Sequence, residues 1–147
     1  MTMKAVVYST RSFEREYFAK ANHKKHDITL ISNPLRLDTV AYAAGKKAVI
    51  VFSTDDLSAV IIEKLACLSI KYIISRCADT AYINVEAATN SKMKIYHVNV
   101  EDALLLKLME YPEVLITPQQ AKLCTASLKE TARQTIMSLD RAVSMQG

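Results

Sequence analysis

Hydroxyl and cationic side chains follow the first apolar segment of the chain, in the order Ser9, Thr10, Arg11 and Ser12. Hydroxyl groups, a guanidinium and the amino terminus of a helix are groups that hold a phosphate or a carboxylate. Ser9, Thr10 and Ser12 are therefore candidate ligands of a small anion. A plain helix start is the alternative, because the loop lacks a glycine that would let the backbone approach a ligand closely.

Two adjacent aspartates, Asp55 and Asp56, follow the third apolar segment. Response-regulator receivers carry an acceptor aspartate at this place, and they also need acidic residues after the first strand to hold magnesium and a lysine after the fifth. Residues 8–11 contain no acid, and residues 97–99 contain no lysine. We therefore interpret the two aspartates as helix caps or as first-turn acids favoured by the helix dipole.

The remaining reactive side chains belong to three cysteines and three histidines, which have no metal-ligand spacing. We expect Cys77 to be a small buried residue, with a reactive thiol as the alternative, and His97 to lie at the rim of the core. A dinucleotide-binding loop needs glycines next to the pyrophosphate, but the chain has only Gly45 and Gly147. The sequence therefore predicts no metal site and no bound cofactor.

Size and composition predict a compact protein. Half of the 147 residues are hydrophobic, which is enough for one core, so we expect a single domain over residues 1–147. The net charge of +4 comes from dispersed lysines and arginines, which argues against nucleic-acid binding. An odd number of cysteines, no secretory signal and no long apolar run predict a cytoplasmic protein with no membrane partner.

Short apolar or β-branched runs alternate with helical patterns along the chain. The runs are typical of strands buried on both faces of a parallel sheet, and they lie at residues 3–8, 27–31, 48–52, 72–75 and 94–98. Ser12, Asp55 or Thr54, and Asn84 can cap the helices between them. An apolar period of three and four residues predicts a long carboxy-terminal helix packed on the sheet. Right-handed crossovers then predict an α/β, flavodoxin-like fold with about five parallel strands and helices on both faces.

Two stretches of the sequence have the character of a known family: RCADTAYIN at residues 76–84 and VLITPQQAKL at residues 114–123. With MKAVVYST at 3–10 and AVIVFSTDDLS at 48–58, they resemble landmarks of the D-2-hydroxyacid dehydrogenases, above all of the D-lactate branch. An NAD-binding domain separates the two stretches in that family, whereas 29 residues separate them here. The resemblance therefore implies a substrate domain, with the NAD-binding domain absent between about residues 99 and 113.

The resemblance also implies that the catalytic position is changed. Family members have a histidine before a glutamine in a Thr-Pro-His-Gln-Ala sequence, and Gln119 occupies the place of that histidine. A carboxamide does not titrate near neutral pH, so it cannot act as a general acid and base. The family's catalytic arginine and glutamate lie in the absent domain. We therefore expect no catalytic residue in this chain and predict that it is not an enzyme.

The family's substrate-binding turn corresponds to residues 76–79 of this sequence. Family members hold the substrate carboxylate there with backbone amides, and they usually have glycine at the place of Asp79. An aspartate restricts the backbone and adds a negative charge, which opposes the binding of an anion. Ala78, Asp79 and Thr80 are candidate residues of a pocket for an altered ligand, and a degenerate structural turn is the alternative.

Residues 100–111, at the place of the absent domain, read VEDALLLKLMEY. A helix with this sequence is apolar on more than one face, so one side can cover the sheet while the other meets a second copy or another protein. The candidate interface residues are Leu104, Leu105, Leu108 and Met109. An ordinary core helix is the alternative.

Three functions are compatible with these features. The first is a non-catalytic remnant of a D-2-hydroxyacid dehydrogenase, a pseudoenzyme that acts as a binding or protein-interaction module and forms a homodimer or binds another protein. The alternative is a small-molecule sensor that binds a 2-oxo acid or another small anion. An enzyme with new chemistry is the least favoured, because no nucleophile, base and orienting group converge in the sequence.

Overall fold

The computed structural model describes residues 2–110 and 117–146. Its described part contains a parallel sheet of five strands, β1 (Lys4–Val7), β2 (Asp27–Leu30), β3 (Ala48–Val51), β4 (Tyr72–Ser75) and β5 (Lys94–His97). The strands are arranged in the order β2-β1-β3-β4-β5. This is the flavodoxin-like order, so the predicted fold class is confirmed.

The burial of each strand follows its place in the sheet. The central strands β3 and β4 are buried along their whole length, whereas the edge strands β2 and β5 contain exposed positions. Runs of Ala, Val and Ile suit the central places because both faces of such a strand must be apolar. The predicted runs exceed the observed strands by at most one residue at either end.

Helices cover both faces of the sheet. α1 (Arg15–Asn22) and the long α6 (Thr125–Gln146) pack on one face, and α2 (Ala59–Cys67) and α3 (Val85–Asn90) pack on the other. The predicted carboxy-terminal helix is thereby confirmed. α4 (Ala103–Glu110) packs against Phe52 and Cys77, which follow β3 and β4, and α5 (Pro118–Leu123) precedes α6. No helix in residues 2–110 and 117–146 is long and apolar enough to cross a membrane.

One of the predicted helix caps is confirmed and two are wrong. Asn84 Oδ1 accepts a hydrogen bond from the Ala87 amide at 2.9 Å, so Asn84 caps α3. Ser12 instead begins a 3-10 helix over Ser12–Glu14, in which the Glu14 carboxylate accepts a hydrogen bond from the Arg11 amide at 2.8 Å. Neither Thr54 nor Asp55 caps α2, because α2 begins at Ala59 and its N-cap residue is Ser58.

Candidate functional site

A pocket of about 750 Å³ opens between the loop that follows β4 and α4. Residues between Cys77 and Tyr82 line one side of it, and residues between Val100 and Glu110 line the other. In open parallel sheets ligands bind outside the carboxyl ends of the strands, and the pocket has this position relative to β4. Its volume is in the range of small-molecule sites.

Two of the three residues predicted for this turn line the pocket, namely Ala78 and Asp79, whereas Thr80 is not among the described lining residues. Asp79 Oδ1 accepts a hydrogen bond from the Ala81 amide at 2.9 Å, which closes an Asx turn. Asp79 does not have a positive φ angle. The backbone of this turn therefore does not require glycine, and the effect of Asp79 is its charge.

Four carboxylates line the pocket, those of Asp79, Glu101, Asp102 and Glu110, and no lysine or arginine is among its described lining residues. Three of the four residues, Asp79, Glu101 and Glu110, are exposed to solvent. The ionisable side chains among the described lining residues therefore carry a net negative charge, with acids on both sides of the pocket.

Asp102 joins the pocket to the helices beside it. Its Oδ1 accepts hydrogen bonds from the amides of Leu104 and Leu105 at 3.0 and 3.2 Å, at the start of α4, and its Oδ2 accepts one from Ser127 Oγ at 2.7 Å. The Ser127 hydroxyl, helped by the two amides, holds the pKa of Asp102 below its ordinary value of 3.8. Asp102 is therefore ionised at neutral pH and fixes α4 to α6.

A buried arginine next to the pocket donates hydrogen bonds within the protein from each of its three side-chain nitrogens. Arg76 is 4% exposed. Its Nε donates to Glu14 Oε2 at 3.0 Å, its Nη1 to the Tyr8 carbonyl at 2.9 Å and its Nη2 to the Ser9 carbonyl at 3.0 Å. Its guanidinium also lies 5.7 Å from the centre of the Phe52 ring. Arg76 is thus paired with Glu14 and is not among the described lining residues of the pocket.

The hydroxyl groups predicted to bind an anion are used inside the protein. Ser9 Oγ donates to Asp55 Oδ1 at 2.6 Å, and Thr10 Oγ1 donates to the Val7 carbonyl at 3.0 Å. Ser9 has a left-handed φ of 54°, which these interactions hold in place. Ser12 is exposed and is not among the described residues of the pocket. The structure therefore does not bring these three hydroxyl groups to the pocket.

Asp55 links three loops at this edge of the sheet. Besides the Ser9 hydroxyl, its carboxylate accepts hydrogen bonds from the Leu35 and Phe52 amides, both at 2.8 Å. Burial raises the pKa of Asp55, although these hydrogen bonds act in the opposite direction. We call Ser9, Glu14, Asp55 and Arg76 the buried polar cluster.

Neither Cys77 nor Tyr82, which line the pocket, is set up as a nucleophile or a base, and His97 lies outside the described lining of the pocket. Cys77 is buried, and burial raises the pKa of its thiol. Burial also raises the pKa of Tyr82, whose hydroxyl is 2.5 Å from Ser75 Oγ. His97 Nδ1 is 3.2 Å from the Val98 carbonyl oxygen. Within residues 2–110 and 117–146, no group of three or more His, Cys, Asp or Glu side chains is arranged to hold a metal ion.

The predicted interface helix is a core helix. Leu105, Leu108 and Met109 are buried, and Leu104 is half-buried against the same cluster. The interface assignment is therefore wrong for the three buried side chains, because they face Phe52, Cys77, Cys124 and Leu128 of the same chain. Gln119, the predicted degenerate catalytic position, is exposed on α5 and is not among the described residues of the pocket.

Sequence reasoning missed most of the acidic side of the pocket. The one signal available was at Asp102, because an aspartate directly before an apolar helical segment is a good capping residue. Glu101 and Glu110 carry no such signal. They line the same pocket as Asp79 because α4 and the residues before it pack beside the loop that follows β4.

Comparison with known proteins identifies a family and its members. The family model described as D-isomer specific 2-hydroxyacid dehydrogenase, catalytic domain, matches residues 5–104. The chain is 36% identical over 90 residues to 2-hydroxyacid dehydrogenase A of Aspergillus oryzae. The aligned stretch covers 58% of this chain and 26% of that protein. The chain is also 31% identical over 101 residues to D-lactate dehydrogenase of Escherichia coli. This alignment covers 68% of this chain and 31% of that protein. The apo structure of D-lactate dehydrogenase from Escherichia coli matches with a TM-score of 0.65 and 30% identity, over 69% of this chain and 33% of that chain.

These matches confirm the predicted resemblance and correct one prediction. The prediction that the chain is not an enzyme is wrong, because the family model is that of a dehydrogenase catalytic domain and the matched relatives are named dehydrogenases. The chain spans between 26% and 34% of the length of the curated relatives. The absence of an NAD-binding domain and the role of Gln119 stay predictions.

Proposed function

Because the chain belongs to the family of D-isomer specific 2-hydroxyacid dehydrogenases, we propose that it is a small-molecule-binding module built on the catalytic-domain fold of that family. Its ligand occupies the pocket between the loop after β4 and α4. The observation that carries the proposal is the position of this pocket at the carboxyl edge of a parallel sheet, where α/β proteins of this architecture bind their ligands.

The walls of the pocket are held in place by the rest of the fold, which supports a role in binding. Arg11 Nε and Nη2 donate to the Met109 carbonyl at 3.1 and 2.7 Å, near the end of α4. Asp102 and Ser127 fix the start of the same helix. A site whose walls are already ordered binds its ligand without the entropic cost of ordering them.

A thermal-shift screen of the full chain tests the proposal. The names of the relatives make 2-oxo acids and 2-hydroxy acids the first compounds to test, followed by amines, alcohols and phosphate. A ligand at about 100 times its dissociation constant stabilises the protein by about 2.7 kcal/mol, which raises the melting temperature by roughly 5–10 °C. No saturable shift with any of these classes would contradict the proposal.

A matched pair of variants locates the site. Ala103 and Ala126 are exposed alanines in the first turns of α4 and α6, and only Ala103 lines the pocket. Ala103→Trp should abolish the shift by filling the pocket, and Ala126→Trp should preserve it. A shift that survives in Ala103→Trp would place the binding site elsewhere.

Self-association is a second candidate role, favoured by Leu123 on α5. Its side chain is 73% exposed, the largest value among the exposed large hydrophobic residues of the described part. Exposed apolar surface is typical of interfaces between proteins. Sedimentation velocity should show a homodimer that Leu123→Ser converts to a monomer. A monomeric wild-type chain at high concentration would exclude this role.

A further inference from the structure

We infer that the pocket between the loop after β4 and α4 selects a ligand that joins an ammonium or guanidinium group to a hydrocarbon body, and that it disfavours a carboxylate of the same size. This inference rests on the proposed function, because it names the ligand class of the same pocket. It is drawn from the charges, the apolar surface and the arginine contacts at this edge of the sheet.

Carboxylates lie on both sides of the pocket, so the charges of its described lining are negative on each side. Asp79 lies on the side formed by the loop after β4, whereas Glu101, Asp102 and Glu110 lie on the side formed by α4 and the residues before it. A cation between the two sides is attracted by both, and an anion in the same place is repelled by both. Clefts lined by one sign of charge raise the local concentration of the opposite ion.

Neither Arg76 nor Arg11 is among the described lining residues of the pocket. Arg76 is buried and paired with Glu14. The Nε and Nη2 groups of Arg11 donate to the Met109 carbonyl. An anionic ligand would therefore find no available guanidinium among the described residues of the pocket.

The remaining lining of the pocket suits a hydrocarbon body. Tyr82, Val100 and Leu106 supply apolar surface, together with small alanine side chains. Leu106 is 38% exposed on the same helix whose Leu105 and Leu108 are buried. An aromatic ring such as that of Tyr82 also attracts a cation that approaches its face. An amine attached to an aromatic or branched alkyl group matches both parts of this lining.

Three probes that differ in charge and share a ring and a two-carbon chain test the inference: phenethylammonium, phenethyl alcohol and hydrocinnamate. Their affinities for the full chain are measured by calorimetry at low ionic strength, because salt screens exposed charges. We expect phenethylammonium to bind most tightly and hydrocinnamate most weakly. Raising the salt concentration should weaken the binding of phenethylammonium and leave that of the alcohol unchanged.

Variants of exposed acids separate charge from shape. The double variant Glu101→Gln with Glu110→Gln should weaken phenethylammonium binding roughly 2- to 10-fold and leave the affinity for the alcohol unchanged. Glu63→Gln changes an exposed acid on α2, outside the pocket, and should alter neither affinity. Because all three acids are exposed, the melting temperatures of the variants should match that of the wild type.

The outcomes distinguish this inference from the function on which it rests. Hydrocinnamate or a 2-oxo acid that binds at the pocket as tightly as phenethylammonium, with loss of binding in Ala103→Trp, would overturn the inference and keep the binding module. An unchanged phenethylammonium affinity in the double variant would also overturn it. If no probe and no 2-oxo acid binds, the proposed function fails and the inference fails with it.

Discussion

Two groups of carboxylates lie at the same edge of the sheet and have opposite surroundings. In the buried polar cluster, Glu14 and Asp55 are 3% and 5% exposed, and their partners are all within the protein. In the pocket, Asp79, Glu101 and Glu110 are exposed to solvent. The residue type alone therefore does not decide between a structural and a binding role. Burial and the completeness of the hydrogen bonds decide it.

The buried polar cluster is complete for an energetic reason. A charged group taken from water into a protein interior loses several kcal/mol of hydration, and only a countercharge with good hydrogen bonds offsets this loss. In residues 2–110 and 117–146, no buried side-chain nitrogen or oxygen lacks a hydrogen-bond partner. The exposed acids of the pocket keep their hydration, and therefore they remain available to a ligand.

Removing Arg76 should have the largest effect. Arg76→Met leaves the Glu14 carboxylate buried without its countercharge and two carbonyl groups without donors. We expect a loss of about 3–5 kcal/mol in the free energy of unfolding, measured by denaturant titration. The control is Arg36→Met. Arg36 Nε lies 3.7 Å from Asp38 Oδ1 and both side chains are exposed, so the loss of this ion pair should cost less than about 0.5 kcal/mol. If the two variants lost the same free energy of unfolding, the buried and the exposed ion pairs would contribute equally to stability, contrary to this prediction.

Asp55→Asn should have the second largest effect. The Asp55 carboxylate accepts three hydrogen bonds through two oxygens, whereas an asparagine directs an NH2 group toward one of the donors. We expect the variant to lose about 2–3 kcal/mol of stability in the same titration. Asp56→Asn is the matched control, because Asp56 is exposed and accepts one hydrogen bond, from the Ser58 amide at 3.0 Å. A stable Asp55→Asn variant would show that the buried polar cluster tolerates an unmatched donor.

Asp55 and Asp56 also show which features of the structure could not be predicted from the sequence. The strands were predicted to within one residue because burial on both faces leaves continuous apolar runs, which are visible locally. The pattern around Asp55 and Asp56 is equally compatible with two helix caps. Only the fold brings the amide of Leu35 and the hydroxyl of Ser9 to one of them.

The pocket was predictable in part, for a similar reason. The resemblance to a family drew attention to Ala78 and Asp79, which line the pocket, whereas residue types alone drew attention to Ser9 and Thr10, whose hydroxyls are used internally. Glu110 on α4, and Glu101 and Asp102 before it, are distant from Asp79 in sequence and were missed. The apolar pattern of α4 predicted burial on two sides, and the chain's own core accounts for Leu105, Leu108 and Met109.

Ser127→Ala should have the smallest effect on the free energy of unfolding. It changes the surroundings of Asp102, which lines the pocket and is also hydrogen-bonded within the protein. Asp102 lines the pocket but also accepts a hydrogen bond from Ser127 at 2.7 Å. Loss of this bond should cost about 1 kcal/mol and raise the pKa of Asp102 toward its ordinary value of 3.8, as measured by NMR titration of the side chain. Ser144→Ala, at an exposed position of α6, is the control and should change neither quantity.

The pH dependence of that variant has a definite sign. Because the pKa of Asp102 is lowered in the folded protein, its ionisation stabilises the fold above the ordinary value of 3.8, and this contribution is lost as the pH falls through the folded pKa. The difference in stability between wild type and Ser127→Ala should therefore be larger at about pH 7 than in acid below the pKa of Asp102. A stability difference between wild type and Ser127→Ala that does not change with pH would mean that the Ser127 hydroxyl acts by packing alone. Asp102 would then resemble the exposed acids of the pocket, which have no such structural hydrogen bond to α6 in the described part of the chain.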